Sequence, residues 1–406
     1  MKERIEQRLI EESVRISYLE QKTYIKLPFT VNPEVFLKKH FQGKSSNLSQ
    51  AKATYKQQCL RSEPLKKQIR TAMNELIELN FIAPLELADQ SIQDIVKNSE
   101  VQHYHLWRPV FKDSISTPTR LVCDPSSTML NLALAKGDQG VADMFSILLR
   151  LRAVFEFWAG DIKKLYNQLC LENECIPYSL LLYEDSLDPD TPPKVYYMRR
   201  GWYGIISTGP QAGVALNKAG RDHQLSHPDG SKVLLNDVFV DDINSGKDTK
   251  EECKQQVKEV QEILGHIGMK LKYVAYSGSP PPPEASKDGI SMTILGYKWE
   301  PEKDLMYLNL PEMNFKKKSR GAKPPNEVPA DDPESIHKLC MSLKTMTKQH
   351  IAAKVGEFWD PIGISEPVKA FYKRSQQCVS EPPRGRVSAE LSKPVERKGA
   401  MCVVLV

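Results

Sequence analysis

No apolar run in this sequence is long enough to cross a membrane, because the longest stretches are interrupted by Arg150, Arg152 or Glu156. Cysteine is sparse as well. The eight are scattered and only Cys170 and Cys175 lie close together. No pair has the spacing of a zinc ligand set or a dithiol redox motif, which excludes both chemistries and points to a reduced, intracellular chain. The glycines of GIISTGPQAG have no Gly-Lys-Ser/Thr behind them, so a Walker phosphate loop is excluded too. Nor is there a strong excess of one charge: a net +5 over 406 residues permits a polyanionic partner without demanding one. What is present is an ordinary globular composition, 40% hydrophobic and 26% charged, with length for two or three domains.

One stretch organises the rest. In LNDVFVDDINSG, residues 235 to 246, the apolar run Val238, Phe239 and Val240 reaches the adjacent acids Asp241 and Asp242, and Ile243 leads into the turn formers Asn244, Ser245 and Gly246. This predicts a β-hairpin with carboxylates at its tip. Adjacent carboxylates repel, so a hard divalent cation such as Mg²⁺ is their natural companion. A second pair, Asp331 and Asp332, lies beside prolines and reads as loop. The third acid comes from AVFEFWAGD, where Val154, Phe155, Phe157 and Ala159 alternate as in a buried strand that ends on Asp161. Pairing of the two strands would bring acids 80 positions apart to one sheet edge. A two-metal phosphoryl-transfer centre needs such an edge, with cations about 3.5–4 Å apart.

The remainder divides by pattern. Residues 1–95 read as mainly helical: YIKLPFTVNP is extended, and PLKKQIRTAMNELIELNFI starts a helix at Pro64 with Leu65, Ile69, Met73 and Leu76 on one face. From about residue 101, LWRPVF and TRLVCD predict two strands around a polar loop flanked by Lys112 and Arg120. A helix is expected over Val141 to Arg152, then the Asp161 strand, then a helix in IKKLYNQLCL carrying Tyr166. VYYMRRGWYG reads as paired strands, and a tight turn at Gly209 and Pro210 precedes a helix bearing Gln211. Thr249 and Glu252 form a capping box for a helix whose apolar face is Cys253, Val257, Val260, Leu264 and Ile267. MKLKYVAY and ISMTILGYKWEP return to strand character. The densest basic run is FKKKSRGAK, residues 315 to 323, and beyond about Arg374 the composition is that of a disordered tail.

These blocks, taken in order, resemble the reverse transcriptases of BEL/Pao-type long-terminal-repeat retrotransposons. The likeness is carried by YIKLPFTVNP, TPTRLVCDPSS, LLRLR before GDIKKLYNQL, GPQAG, VFVDD, GMKLKY, LGYKW and MTKQHIAAKVGEFWDPIGISEPVKAFYK, which together span residues 24 to 373. The resemblance implies an α+β right-hand polymerase of fingers, palm and small thumb, with a central antiparallel palm sheet backed by helices. Residues 1–95 would be a helical N-terminal segment, 96–300 fingers and palm, 301–375 a thumb-like connection, and 376–406 a tail. It implies an RNA- or DNA-templated DNA polymerase that takes dNTPs, a template and a primer, uses two Mg²⁺ ions (Mn²⁺ being able to replace them), and works inside the cell in a cytoplasmic particle or the nucleus. Asp161, Asp241 and Asp242 match the metal-binding acids, helped by the backbone carbonyl of Ile162. Lys112 and Arg120 match the triphosphate cations, Tyr166 the sugar gate, Gln211 a contact to nucleotide and template, and Lys272 a proton donor to pyrophosphate. Leu295, Gly296, Tyr297, Lys298 and Trp299 match the primer grip.

The sequence departs from the family where Phe239 and Val240, rather than a tyrosine, precede the acids, and where GMKLKYVAYSG lacks a tryptophan after the lysine. Protease, RNase H and integrase signatures are missing, which sets up a second expectation: a truncated or decayed retroelement relic that binds nucleic acid without polymerising it. A metal-dependent nuclease built on the same acids is a third.

Overall fold

The computed structural model describes residues 2–111 and 119–308. Lys112, the basic run 315–323, the Asp331–Asp332 pair, nearly all of the expected thumb-like segment and the tail 376–406 lie outside the described residues. The chain divides into two compact units, Met1–Val274 and Ala275–Val406. The first begins with α1 (Lys2–Glu12), β1 (Val14–Ser17), β2 (Lys22–Ile25), α2 (Pro33–His40), α3 (Leu48–Cys59), α4 (Glu63–Glu78), β3 (Ile82–Pro84) and α5 (Gln90–Asn98). It continues through β4 (Trp107–Phe111), β5 (Thr119–Cys123), α6 (Leu130–Ala133), α7 (Met144–Leu151), β6 (Glu156–Ile162), α8 (Leu165–Gln168), β7 (Leu169–Leu171), β8 (Leu180–Tyr183) and β9 (Lys194–Met198). Then come α9 (Thr208–Asp222), α10 (Pro228–Asn236), β10 (Val238–Phe239), β11 (Asp242–Lys247), α11 (Lys250–His266) and β12 (Leu271–Tyr276), whose end enters the second unit. That unit contains the meander β13 (Met292–Ile294), β14 (Tyr297–Glu300) and β15 (Leu305–Leu308).

The architecture is mixed α+β with several small, mostly antiparallel sheets. The sheet that bears the acids has the strand order β10–β11–β6–β12. β11 runs antiparallel to β6 with Asp242 opposite Asp161, Asn244 opposite Ala159 and Gly246 opposite Phe157. Side chains alternate across a strand, so Trp158, Gly160, Ile162, Ile243 and Ser245 share the other face. α11 covers that face. The Trp158 indole Nε1 donates to Gln256 Oε1 at 2.8 Å, and Trp158, Ile162 and Ile243 are buried. α11 starts where the sequence placed it, with a complete capping box between Thr249 and Glu252. Its five expected apolar residues, Cys253, Val257, Val260, Leu264 and Ile267, are all buried, each worth roughly 2 kcal/mol relative to exposure.

Several local expectations need correction. The hairpin turns at Val240–Asp241, because Phe239 pairs with Asp242 and Val238 with Ile243. Asn244, Ser245 and Gly246 are therefore strand, not turn. Asp237 makes this affordable to the backbone: its carbonyl accepts from Asn244 N–H at 3.0 Å and its carboxylate from Ser245 Oγ at 2.7 Å. The helix expected from Val141 begins only at Met144, since Asp143 caps it by accepting from Ser146 N–H. In IKKLYNQLCL only Leu165–Gln168 is helical, because Leu169–Leu171 is recruited as a parallel partner of β2. Gly209 and Pro210 form no separate turn but lie in the first turn of α9, where proline is tolerated for want of an N–H partner. β6 is buried on both faces, Trp158 and Ala159 alike, while Phe155 lies exposed before it.

Candidate functional site

The acids meet because of register. Asp161 and Asp242 face each other directly across β6 and β11, and the Ile162 N–H donates to the Asp241 carbonyl at 2.8 Å one residue beyond them. That bond makes Asp161–Asp242 a non-hydrogen-bonded pair, the type whose side chains lie nearest one another, with Cβ atoms about 4.5–5.5 Å apart on the same face. Directly opposed like charges destabilise a sheet unless something positive compensates.

The local electrostatics carry that signature. Burial, then the nearby Asp241 carboxylate, push Asp161 up to about 6, with Lys272 and Arg120 opposing. Burial, then Asp241 and Asp161, push Asp242 up to about 7, with Lys272 opposing. Among the described residues none of the three acids has an ion pair or a side-chain hydrogen bond. The two cations act on them only through space. In the same field, burial and the three carboxylates raise the Tyr273 phenol.

The turn that delivers Asp241 is tight. Val240 sits at φ +62°, a left-handed conformation that a β-branched residue adopts only under constraint. Arg120 on β5, whose charge acts on Asp161, lays its guanidinium over the Tyr203 ring, 4.6 Å from the centroid. Tyr203 in turn lies 5.0 Å from the Tyr166 ring on α8. Burial and then Asp241 raise the Tyr166 phenol, with Arg120 opposing. Burial raises Tyr203 as well, and there Arg120 opposes Asp241, Tyr166 and Asp161. Asp161, Asp241, Asp242, Arg120, Lys272 and Tyr166 thus share one electrostatic neighbourhood. Tyr203 and Tyr273 belong to it too, and no periodicity pointed to either; their only sequence signal is an aromatic beside a glycine in GWYG and one beside a lysine in LKY.

A foamy viral protease–reverse transcriptase in complex with an RNA/DNA hybrid is similar to this chain. The two share 13% sequence identity with a TM-score of 0.46, over 81% of this chain and 36% of that one. This chain therefore spans little more than a third of the matched protein. No family model and no curated protein matches it.

The remaining expected residues are placed as follows. Gln211 is fully buried. Its amide nitrogen donates to Ser13 Oγ and to the Lys26 carbonyl, both at 2.7 Å, so it ties α9 to the β1–β2 hairpin. Leu295 and Gly296 are the turn between β13 and β14, both at positive φ. Tyr297 and Trp299 are buried in that second-unit meander and Lys298 is exposed. Asp161 and Asp242, half-buried carboxylates whose protons are retained through burial and the nearby Asp241, are a donor set that suits a hard divalent cation. Among the described residues, however, no three His, Cys, Asp or Glu side chains already converge as ligands of a metal ion.

Proposed function

We propose that this chain is a template-directed nucleotidyltransferase of reverse transcriptase type, with β10–β11–β6–β12 as its palm sheet and the β4–β5 hairpin in its fingers. The observation that carries the reading is the direct pairing of Asp161 with Asp242, beside Asp241 and within the field of Arg120 and Lys272. The order of sequence blocks shared with the BEL/Pao enzymes supports it.

In this reading Asp161, Asp241 and Asp242, with the Ile162 carbonyl, would hold Mg²⁺. Two bound Mg²⁺ ions supply activation of a primer 3′-hydroxyl and charge neutralisation on the leaving pyrophosphate. The chain's own residues do the rest. Arg120, with Lys112, binds the triphosphate of a dNTP by charge-assisted hydrogen bonds. Tyr203 fixes the Arg120 guanidinium by stacking beneath it. Tyr166, packed on Tyr203, sets a rigid ring where a ribose 2′-hydroxyl would have to pass. Lys272 offers a proton to pyrophosphate. Leu295 to Trp299 form the primer grip. The Gln211 amide nitrogen ties α9 to the β1–β2 hairpin, and its buried Oε1, which has no hydrogen-bond partner among the described residues, is the atom left for a contact to nucleotide and template.

Primer extension on a homopolymer template tests the reading: wild type incorporates dNTPs with Mg²⁺ or Mn²⁺, and Asp241→Asn does not. Equal extension by both proteins would exclude it. A second reading is nucleic-acid binding without turnover. Salt-sensitive binding of a primer–template with no incorporation would select it.

A further inference from the structure

A second feature of the first unit lies in a different sheet. β1, β2 and β7 form a three-stranded sheet in which Arg15 pairs with Tyr24 and Tyr24 with Cys170. An isolated bridge then pairs Cys170 with Arg200. Paired residues project to the same side, so Arg15, Tyr24, Cys170 and Arg200 form one transverse row, with Lys22 two residues along from Tyr24 on that side. The row forms part of the wall of a cavity of about 410 Å³, to which Lys22, Tyr24, Cys170, Arg199 and Arg200 contribute. That volume is within the roughly 300–1,000 Å³ of small-molecule sites.

The charges on the wall do not balance locally. Two carboxylates line it, Glu172 and Glu174, and each is already engaged, Glu172 by Arg15 and Glu174 by Lys26, both at 2.8 Å. Lys22, Arg199 and Arg200 remain, and among the described residues none of them forms a close ion pair, although Lys22 lies in the field of the exposed Glu20. Their other contacts are neutral: Arg199 donates to the Asn80 side chain, and Arg200 to Cys170 Sγ and the Gln168 carbonyl. Arg200 touches the Cys170 thiol, and Lys22 and Arg199 act on it through space, the three opposing the upward shift that burial and Glu172 cause there.

We infer that this cavity is an anion site for a phosphate-bearing ligand of mononucleotide size, held by Lys22, Arg199 and Arg200 against the Tyr24 and Cys170 floor. Guanidinium forks match phosphate oxygens in pairs, and the sheet register fixes the row without cost on binding. The inference is independent of the polymerase reading, because none of these residues belongs to the acid cluster.

The test uses the whole protein in a chelator, so that no divalent cation brings phosphate to the acids. Inorganic pyrophosphate, 5′-AMP and a single-stranded oligonucleotide are titrated separately. Two measurements are made: calorimetric affinity, and the rate of Cys170 alkylation by iodoacetamide read by peptide mass, with Cys59, a second buried thiol that does not line the cavity, as internal reference. Saturable protection of Cys170, with affinity about tenfold weaker in Lys22→Ala and Arg199→Ala and unchanged in Arg120→Ala, is the expected result. Protection by all three probes identifies a free phosphate ligand, and protection by the oligonucleotide alone identifies a nucleic-acid phosphate. Lys22 is exposed, so its variant keeps the fold if Arg199→Ala does not. The inference is overturned if no probe protects Cys170, or if Arg120→Ala abolishes binding while Lys22→Ala leaves it intact.

Discussion

At Asp242 burial and two neighbouring carboxylates act in the same direction, so the ionised side chain is a cost to the metal-free fold. Replacing it with asparagine removes the charge and keeps the shape. Asp242→Asn is therefore expected to stabilise the metal-free protein by roughly 2–4 kcal/mol above pH ~8, where the wild-type carboxylate is fully ionised. Thermal unfolding in a chelator measures this. Adding Mg²⁺ should raise the wild-type midpoint by preferential binding to the folded state and leave the variant nearly unmoved. A variant no more stable than wild type in the chelator would mean that Asp242 carries no electrostatic strain. At this scale the juxtaposition of Asp161 with Asp242 was legible because a carboxylate ending an apolar run breaks the pattern that precedes it. The Gln211 bonds to Ser13 and Lys26 were not, because nothing in GPQAG indicates partners so distant in sequence. Tyr203 was hidden for a related reason: its neighbours Arg120 and Tyr166 are distant in sequence and become neighbours only through the fold.

The elements themselves were read well where the signal is local and poorly where a distant strand decides. The capping box of α11 involves residues three apart and holds; Thr249→Ala is expected to cost about 1 kcal/mol, measured as a lower urea midpoint with unchanged denaturant slope. The Pro64 helix start and the strand pair LWRPVF with TRLVCD hold for the same reason. By contrast, Leu169–Leu171 leaves its helical neighbourhood because β2 offers backbone partners, and Asn244–Gly246 becomes strand because β6 does. Tertiary pairing overrides local propensity in both places. The turn between β10 and β11 gives the complementary prediction. Val240 at φ +62° occupies a position that suits glycine, at a cost of about 1–2 kcal/mol. Val240→Gly should relieve part of that strain, so the variant unfolds no earlier than wild type, while the looser turn lowers primer extension. Loss of several degrees of stability in Val240→Gly would show that the valine side chain, not the backbone, governs this turn.

At the scale of the molecule, two pairs of groups of opposite kind among the described residues, His103 with His105 and Asp161 with Asp242, act on stability between about pH 4 and 7. Burial holds His103 down at about 4 against its ordinary 6.5, and burial, then His103, hold His105 well below that ordinary value too. Between about 6.5 and 4 the unfolded chain takes up protons that the folded chain refuses, so this stability is complete above 6.5 and is lost as pH falls. Asp161 and Asp242 act the other way. Their folded values of about 6 and about 7 exceed the ordinary 3.8, so the folded chain retains protons that the unfolded chain has released. Their contribution is greatest at low pH and disappears as pH rises through 6 and 7. Without metal, the two pairs oppose each other between about pH 4 and 6.5 and leave a shallow profile that declines toward 7. A divalent cation displaces the carboxylate protons, so the rise in unfolding temperature caused by Mg²⁺ should be small near pH ~5 and grow steeply through 6 to 7, and His103→Gln should flatten the acid side without touching that increment. An Mg²⁺ increment equal at pH ~5 and pH ~8 would separate metal binding from Asp161 and Asp242, and with it remove the basis for placing nucleotidyl transfer at the β6–β11 pair.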